Sequence, residues 1–292
     1  MKNILVIGST NTDMVIRVSN LPLAGQTVLG DRFQVFEGGK GANQAVAARR
    51  AGGKVRFLTA VGNDNFGKAA IDTFKTEGID TSAVQVIDGA PTGVALIFVN
   101  HGGENCIAVA AGANAHITPE VVDQYSQLSA DVSYLLMQLE TPMAAVETAV
   151  ALARQNDVRV ILNPAPAAAL SDTVLTTLFC ITPNETELEA LTGVEIRNVH
   201  NAADAASVLL QRGVQNVVVT MGAAGALICN SDGVHHEQAK AIKVVDTTGA
   251  GDIFNGVFTA MLAADEHPRD AVRLAVAAAS LSVQTAGVRP AA

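Results

Sequence analysis

The sequence predicts an α/β fold in which a mostly parallel sheet lies between two layers of helices. Short apolar runs rich in β-branched residues alternate with helical stretches along most of the 292 residues. Such alternation is typical of βαβ units, and strands that are apolar throughout are expected where both faces of a sheet are covered. Hydrophobic residues make up 49% of the chain, which is enough for an extensive core,.

The predicted elements follow one another as strands and helices in turn. The expected strands of the main sheet are the apolar runs at residues 4–7, 57–61, 135–137, 158–162 and 217–220. Apolar residues at helical spacing predict helices over residues 41–51, 66–77, 143–154, 201–212, 252–264 and 268–285,. The order strand, helix, strand predicts parallel neighbours joined by helical crossovers.

Two segments interrupt this alternation with pairs of strand-like runs that are joined by turns and not by helices. Residues 14–18 and 33–36 are strand-like and belong to the segment 13–39, and residues 93–99 and 105–110 belong to the segment 91–111. Both segments lie beside polar or glycine-rich motifs. We therefore predict that the two insertions form a small β-sheet lid over the cleft of one α/β domain, which spans residues 1–292.

Charge and composition exclude several classes of protein. The formal net charge is −9, whereas a nucleic-acid-binding protein is expected to carry a basic surplus,. The apolar runs fall short of the roughly 18 residues of a membrane helix, and the run after Met1 is too short for a signal peptide. We expect no nucleic-acid or membrane partner and a cytoplasmic location. Cys106, Cys180 and Cys229 are widely spaced, and we expect buried free thiols in a reducing compartment,.

A glycine-rich motif precedes the apolar helix predicted from residue 252. Gly249, Ala250 and Gly251 allow successive backbone N–H groups to converge at a helix N-terminus, where the helix dipole favours negative charge. Such a site stabilises a phosphoryl group during transfer. Asp252 directly follows these residues at the edge of the predicted anion site, and its carboxylate can accept the proton of an attacking hydroxyl. A helix N-cap after a glycine-rich lead-in explains the same residues without catalysis.

A second glycine cluster surrounds Lys40. The bare backbone of Gly39 allows a hydroxyl-rich ligand to approach, the Asn43 amide suits neighbouring hydroxyls, and Lys40 suits a phosphate. Asn11 and Asp13 follow the first predicted strand, and ligands of open α/β sheets bind at the carboxyl ends of strands. A flexible turn before a helix and an Asx turn after a strand remain alternatives.

Four motifs together resemble the ribokinase family of sugar kinases over essentially the whole chain. They stand in the family's order and spacing: Asn11-Thr12-Asp13, Gly38-Gly39-Lys40-Gly41-Ala42-Asn43, Asn184-Glu185-Thr186-Glu187 and Asp246-Thr247-Thr248-Gly249-Ala250-Gly251-Asp252. The resemblance implies the α/β fold above, with a β lid that also forms a homodimer contact. It implies ATP-dependent phosphorylation of D-ribose at O5, giving ADP and D-ribose 5-phosphate. The alternatives are a kinase for 2-deoxyribose, another pentose or a nucleoside, and a sugar-binding protein of the same fold without catalysis.

The resemblance also implies a role for each matching residue. Asp252 is the expected base. The expected anion hole comprises Gly249, Ala250 and Gly251. The expected sugar contacts are Asn11, Asp13, Gly39, Lys40, Asn43, Glu140 and Asp252. The expected ATP contacts are Asn184, Thr220, Gly222, Gly225 and Gly251. Glu187 is expected to organise Mg²⁺, and an activating K⁺ is expected beside Asp246, Thr248, Ser282, Thr285 and Gly287.

Overall fold

The computed structural model describes residues 1–125 and 131–284. Its strands are β1 (Asn3–Ile7), β2 (Asn11–Val18), β3 (Gly30–Gly38), β4 (Lys54–Gly62), β5 (Val84–Ile87), β6 (Gly93–Asn100), β7 (Asn105–Ala110), β8 (Val132–Met137), β9 (Arg159–Leu162), β10 (Leu178–Ile181), β11 (Asn216–Thr220), β12 (Ala226–Asn230) and β13 (Gly233–Glu237). Its α-helices are α1 (Lys40–Arg50), α2 (Asn65–Thr76), α3 (Pro119–Gln124), α4 (Met143–Gln155), α5 (Asp172–Leu175), α6 (Glu185–Thr192), α7 (Val199–Gln211), α8 (Ala250–Ala263) and α9 (Pro268–Ser282).

The larger sheet has the strand order β13-β12-β11-β10-β9-β8-β1-β4-β5. All neighbouring strands from β11 to β5 are parallel, and β12 and β13 form an antiparallel hairpin at one edge. Helices cover both faces of this sheet. The predicted mostly parallel sheet between helices is confirmed.

Strand β1 illustrates why the predicted strands are apolar throughout. Leu5 and Ile7 pack in a core shared with α4, α6 and α7, whereas Ile4 and Val6 pack in a core shared with α1, α2, α8 and α9. Successive side chains of a strand point to opposite faces, so a strand covered on both faces has no solvent-facing position. Burial on both sides therefore requires the uninterrupted apolar runs that the sequence contains.

A separate four-stranded sheet has the order β3-β2-β6-β7. Strand β2 runs antiparallel to β3 and parallel to β6, and β6 runs antiparallel to β7. The predicted insertions 13–39 and 91–111 supply nearly all of its residues. Strand β2 begins at Asn11, so Asn11 and Asp13 are strand residues rather than residues of a turn.

The predicted burial of all three cysteines is wrong for Cys106. This residue lies on β7, an edge strand whose residues are all exposed. Sequence spacing alone does not reveal that this strand is exposed. Cys180 and Cys229 are buried free thiols, as expected, and burial raises the pKa of Cys229 to about 11.

Several helix ends differ from the predicted ones by a few residues. Helix α8 begins at Ala250, with Gly249 as its N-cap, so Asp252 lies inside the first turn and is not a cap. Helix α9 ends at Ser282 rather than at residue 285. No helix within residues 1–125 and 131–284 combines the length and apolar character that crossing a membrane requires.

Candidate active site

The candidate site lies where helices α1 and α8 begin. Both helices have a glycine at the N-cap in the left-handed half of backbone space, with φ of 91° at Gly39 and 75° at Gly249,. Gly256 allows α8 to pack directly on α1. A Cβ at this position would lie 2.5 Å from both the Ala47 Cβ and the Gln44 carbonyl oxygen. This close packing brings the first turns of the two helices together.

Asp252, the predicted base, is 8% exposed and accepts a hydrogen bond at each carboxylate oxygen. Asn43 Nδ2 donates to Oδ2 and Gln44 Nε2 donates to Oδ1, each at 3.0 Å. Burial raises the pKa of Asp252, while the charge of Lys40 and the two amide donors act against this rise. A positioned carboxylate with a raised pKa has the properties of a general base.

Backbone amides of the first turn of α8 lie beside Asp252. Ala250 N–H donates to the Thr247 carbonyl at 3.2 Å, so one of the predicted anion-hole amides is engaged within the loop. The amides of Gly251 and Asp252 have no intrahelical acceptor in a helix that begins at Ala250. Apart from its own helical turn, no described residue has a heavy atom within 4 Å of a Cβ placed on Gly251. An anion beside this turn would be stabilised by these amides and by the helix dipole.

Glu140, a predicted sugar contact, is tied to the end of β1 and to the start of α1. Ser9 Oγ donates to Glu140 Oε2 at 2.5 Å, and Lys40 N–H donates to the same oxygen at 3.0 Å. Gly41 N–H donates to Ser9 Oγ at 3.4 Å. The Glu140 carboxylate is therefore fixed relative to the helix that carries Lys40 and Asn43.

Asn11, another predicted sugar contact, is oriented by Asn114. Asn114 is buried and binds the backbone of Thr10 through both amide atoms, accepting from its N–H at 2.9 Å and donating to its carbonyl at 3.1 Å. Asn114 Nδ2 also donates to Asn11 Oδ1 at 2.8 Å. A Cβ at Gly93 would collide with the side-chain amides of Asn11 and Asn114. With its oxygen engaged, Asn11 presents Nδ2 as a donor.

Asp13 is half-buried on β2 and also borders this region. A Cβ at Gly38, the last residue of β3, would collide with the Asp13 carboxyl group. Glycine at the end of β3 therefore leaves the room that the carboxylate occupies.

Lys40 places a positive charge among three carboxylates. Burial raises the pKa of Asp252 and of Glu187, and the charge of Lys40 lowers both. The charge of Asp252 further raises the pKa of Glu187, and that of Glu140 raises the pKa of Asp252. The structure thus brings four predicted site residues into one electrostatic neighbourhood.

Glu187 forms a capping box with Asn184 at the start of α6. Its Oε2 accepts from the Asn184 N–H at 2.9 Å, its Oε1 accepts from Asn184 Nδ2 at 3.0 Å, and its own N–H donates to Asn184 Oδ1 at 2.8 Å. A carboxylate offers about four lone-pair sites, so these bonds leave acceptor capacity for ordered water. Such an arrangement fits Mg²⁺, which keeps several waters and binds few protein carboxylates.

The predicted nucleotide contacts lie at the carboxyl end of β11 and the turn after it. Thr220, the last residue of β11, forms an isolated parallel bridge with Asn184. Gly222 and Gly225 belong to the turn into β12 and have φ of 50° and 95°. A Cβ at Gly225 would collide with the Glu237 carbonyl, so only glycine fits this turn. These four predicted residues therefore lie on or directly beside two adjacent loops.

The predicted cation residues Asp246 and Thr248 lie in the loop before α8. Thr248 N–H donates to Asp246 Oδ1 at 2.9 Å, and Asp246 N–H donates to the Val283 carbonyl at 3.2 Å. Ser282 ends α9, so this loop adjoins the end of that helix. The loop offers carboxylate and carbonyl oxygens, the donor type that hard cations take. Two further predicted ligands lie outside the described residues, namely Thr285 and Gly287.

The sequence motifs give no role to four buried polar residues that organise the site: Ser9, Gln44, Asn114 and Asn163. Only Gln44 carries a signal in the sequence, because it directly follows the glycine motif inside an apolar helix. A polar residue at such a position is expected to be buried with hydrogen-bond partners. Identifying those partners required the structure.

Comparison with known proteins identifies the family. The sequence model described as pfkB family carbohydrate kinase matches residues 1–292. The chain belongs to the pfkB family. Among relatives of this pfkB chain, a ribokinase from Haemophilus influenzae is 43% identical over 288 residues, covering 99% of this chain and 94% of the relative. A deoxyribokinase from Salmonella typhi is 36% identical over 288 residues, covering 98% and 94%.

Solved structures support the same assignment to the pfkB family. The structure of Arabidopsis thaliana ribokinase complexed with ribose and ATP superposes with a TM-score of 0.91 at 29% identity. The match covers 98% of this chain and 94% of that chain. The predicted resemblance and the predicted fold class are both confirmed.

Proposed function

We propose that this chain transfers the γ-phosphoryl group of ATP to O5 of D-ribose, giving D-ribose 5-phosphate and ADP. The observation that carries the proposal is the buried Asp252 carboxylate, held between two amide donors beside the first-turn amides of α8. The similarity to a ribokinase and to a ribokinase structure with ribose and ATP supports this choice of substrates.

The reaction follows from the groups at this site. Asp252 accepts the proton of the O5 hydroxyl as O5 forms a bond to the γ-phosphorus. The bond between the γ-phosphorus and the bridging oxygen breaks, and its electron pair leaves with ADP. Charge that develops on the transferred group is stabilised by the amides of Gly251 and Asp252 at the helix N-terminus, and by Lys40.

The sugar is held by polar groups around the start of α1. In this proposal Asn11 donates through Nδ2, while other groups bind the remaining ribose hydroxyls: Asp13, Gly39, Lys40, Asn43 and Glu140. A site of buried polar groups discriminates against ligands that leave those groups unpaired. The pattern of hydroxyls on the sugar therefore determines which substrate is accepted.

The nucleotide occupies the two loops that carry Asn184, Thr220, Gly222 and Gly225. Glu187 would hold Mg²⁺ through its ordered waters. Bound Mg²⁺ supplies neutralisation of the phosphate charges.

A monovalent cation completes the proposed site. The residues that would hold K⁺ are Asp246, Thr248 and Ser282, with Thr285 and Gly287. Bound K⁺ supplies fixed positive charge beside the loop that leads into α8. The hydrogen bond from Asp246 to Val283 favours this arrangement because it holds the loop against the end of α9.

Phosphorylation of 2-deoxyribose is the second candidate. The similarity to a deoxyribokinase over the same span favours it. The two sugars differ only in the 2-hydroxyl, so a ratio of kcat/KM values distinguishes the two functions.

The small sheet is proposed as a lid and as the contact with a second copy of the chain. Phe33, Val35 and Leu96 are exposed apolar residues of this sheet. Val35 and Leu96 are both in register with Met14, so they share one face with Phe33, two residues away,. Burial of this face in a homodimer would remove it from water. Sedimentation should give a dimer that Phe33→Ser weakens, and X-ray scattering should give compaction with ribose and an ATP analogue.

A cytoplasmic location belongs to the same proposal. The chain has free cysteines at positions 106, 180 and 229, and ATP is its proposed substrate. Free thiols are typical of reducing compartments.

The test of the proposed function is ADP release from Mg-ATP with ribose, 2-deoxyribose, fructose and adenosine, each in potassium and in sodium buffer. We expect the highest kcat/KM with ribose, activation by potassium, and a product whose phosphorus couples to the C5 protons in NMR. A higher kcat/KM with 2-deoxyribose supports the second candidate, and no turnover with either pentose refutes both.

A further inference from the structure

Three buried amide side chains form a hydrogen-bonded network that ends at Asp252. Gln44 Nε2 donates to Asp252 Oδ1 and to Asn163 Oδ1, each at 3.0 Å. Gln138 Nε2 donates to Gln44 Oε1 at 2.6 Å, and Asn163 Nδ2 donates to the Thr182 carbonyl at 3.1 Å. Gln44 and Gln138 are fully buried.

The orientation of these amides is determined by acceptors at two ends of the network. The Asp252 carboxylate and the Thr182 carbonyl can only accept hydrogen bonds, so Gln44 and Asn163 must turn their NH₂ groups toward them. Reversal of the Gln44 amide would bring its oxygen against the carboxylate and turn its NH₂ group toward the NH₂ of Gln138. The Gln44 amide is therefore fixed with both of its donors in use.

The same network reaches the backbone of the α8 first turn. Thr182 Oγ1 donates to Asn255 Oδ1 at 2.5 Å, and Asn255 Nδ2 donates to the Gly251 carbonyl at 2.8 Å. The Asp252 carboxylate and the adjoining helical turn are thus linked to the same residue at the end of β10. This linkage fixes the carboxylate relative to the amides of that turn.

We propose that Gln44 is a positioning residue that holds the Asp252 carboxylate in the orientation required for proton transfer. The proposal rests on the proposed function, in which Asp252 is the base. Asn43 donates to the other carboxylate oxygen, Asp252 Oδ2, and lies next to the sugar contacts. Gln44 is buried behind it among Gln138 and Asn163, so its contribution is made through Asp252 rather than through the sugar.

The test compares Gln44→Met with the wild-type chain in kcat, in KM for ribose, and in the dissociation constant of ribose from calorimetry. Loss of a hydrogen bond to a charged group predicts a fall in kcat of roughly 10- to 100-fold. The dissociation constant is expected to change less than about threefold, because the interaction concerns the reacting step rather than ground-state binding. Gln138→Met leaves the contact with Asp252 intact but removes the donor that orients Gln44, and should lower kcat by a smaller factor.

The matched control is Gln85→Met. Gln85 donates to the Tyr125 hydroxyl at 2.6 Å and lies on the edge strand β5, away from Asp252. This variant should leave kcat and KM unchanged. Urea unfolding of all variants separates loss of fold from loss of positioning, and Gln138→Met provides the test if Gln44→Met does not fold.

Each outcome bears on a different proposal. Wild-type turnover with ribose together with an undiminished kcat in Gln44→Met overturns the positioning role and leaves the proposed function intact. Equal loss of kcat and ribose affinity also overturns it. If the wild-type chain does not phosphorylate ribose, the proposed function fails. Crystal structures then decide the positioning role, because an Asp252 carboxylate unmoved in Gln44→Met contradicts it.

Discussion

Asn43 on α1 donates to Asp252 on α8 at 3.0 Å, although 209 positions separate them in sequence. This bond engages one of the two N–H groups of Asn43 Nδ2. Asn43 is also one of the sugar contacts of the proposed function, so the same side chain would link recognition of the sugar to the position of the base.

The rate should depend on pH through the protonation of Asp252. Only the carboxylate accepts a proton, so kcat is expected to fall as pH decreases through the pKa of Asp252. The charge of Lys40 lowers this pKa. Lys40→Met should therefore shift the acid limb of kcat to higher pH, in addition to weakening phosphate binding. Steady-state profiles of both proteins measure the shift.

Lys68→Met is the matched control for this pH profile. Lys68 is an exposed residue of α2, and its loss should leave the acid limb unchanged. An acid limb that is the same in Lys40→Met and in the wild-type chain contradicts the electrostatic role given to Lys40.

Asn114→Asp should weaken sugar binding more than turnover. The substitution removes the donor to Thr10 and Asn11, so Asn11 is no longer held with Nδ2 toward the ligand. We expect KM for ribose to rise about tenfold and the free energy of unfolding to fall by about 1–3 kcal/mol, the cost of an unsatisfied buried polar group. Steady-state kinetics and urea unfolding measure the two effects.

Asn216→Asp separates the two effects of that substitution. Asn216 is also buried and donates to the Phe179 carbonyl at 2.8 Å, but it lies at the opposite end of its strand from Thr220. The Asn216→Asp variant should lose stability to a similar extent as Asn114→Asp, while its KM for ribose stays constant. Equal changes of KM in both variants would mean that Asn114 has no specific effect on Asn11.

Gly256→Ala should separate helices α1 and α8. The added methyl group would lie 2.5 Å from the Ala47 Cβ, and such overpacking costs about 1–3 kcal/mol,. The displacement also moves Asp252 away from Asn43, so kcat should fall together with the melting temperature. Calorimetry and steady-state kinetics measure both quantities.

Gly102→Ala serves as the control for this substitution. Among the described residues, the nearest atoms to a Cβ at Gly102 would belong to the Asn100 side chain, at 3.2 Å and beyond, in an exposed turn. Its melting temperature should stay close to that of the wild-type chain. A Gly256→Ala protein as stable and as active as Gly102→Ala contradicts the packing described for α1 and α8.

The sequence predicts the frame of the fold well because the frame depends on local patterns. Runs such as residues 4–7 contain only apolar side chains, and Gly39 and Gly249 mark helix starts that require positive φ. The sequence does not predict the exposure of Cys106, because this exposure depends on what covers an edge strand. No local pattern encodes such coverage.

The motifs predict which residues gather at the site, but not how they are held. Nothing in the sequence links Gln44 to Asn163 or Asn114 to Asn11, since each pair meets only after the chain has folded. These pairs fix the orientation of the amides and hence which atoms are donors and acceptors. The sequence therefore predicts the composition of the site, while its hydrogen-bond directions come from tertiary structure.

Asp252→Asn tests the central claim most directly, with Asp204→Asn on α7 as an exposed control. The amide keeps the shape of the carboxylate but does not accept the O5 proton. We predict a fall in ribose-dependent ADP release of at least about 100-fold, the lower bound for loss of a general base. Ribose should still bind in calorimetry, and Asp204→Asn should retain full activity. Unchanged turnover in Asp252→Asn would contradict the assignment of Asp252 as the base.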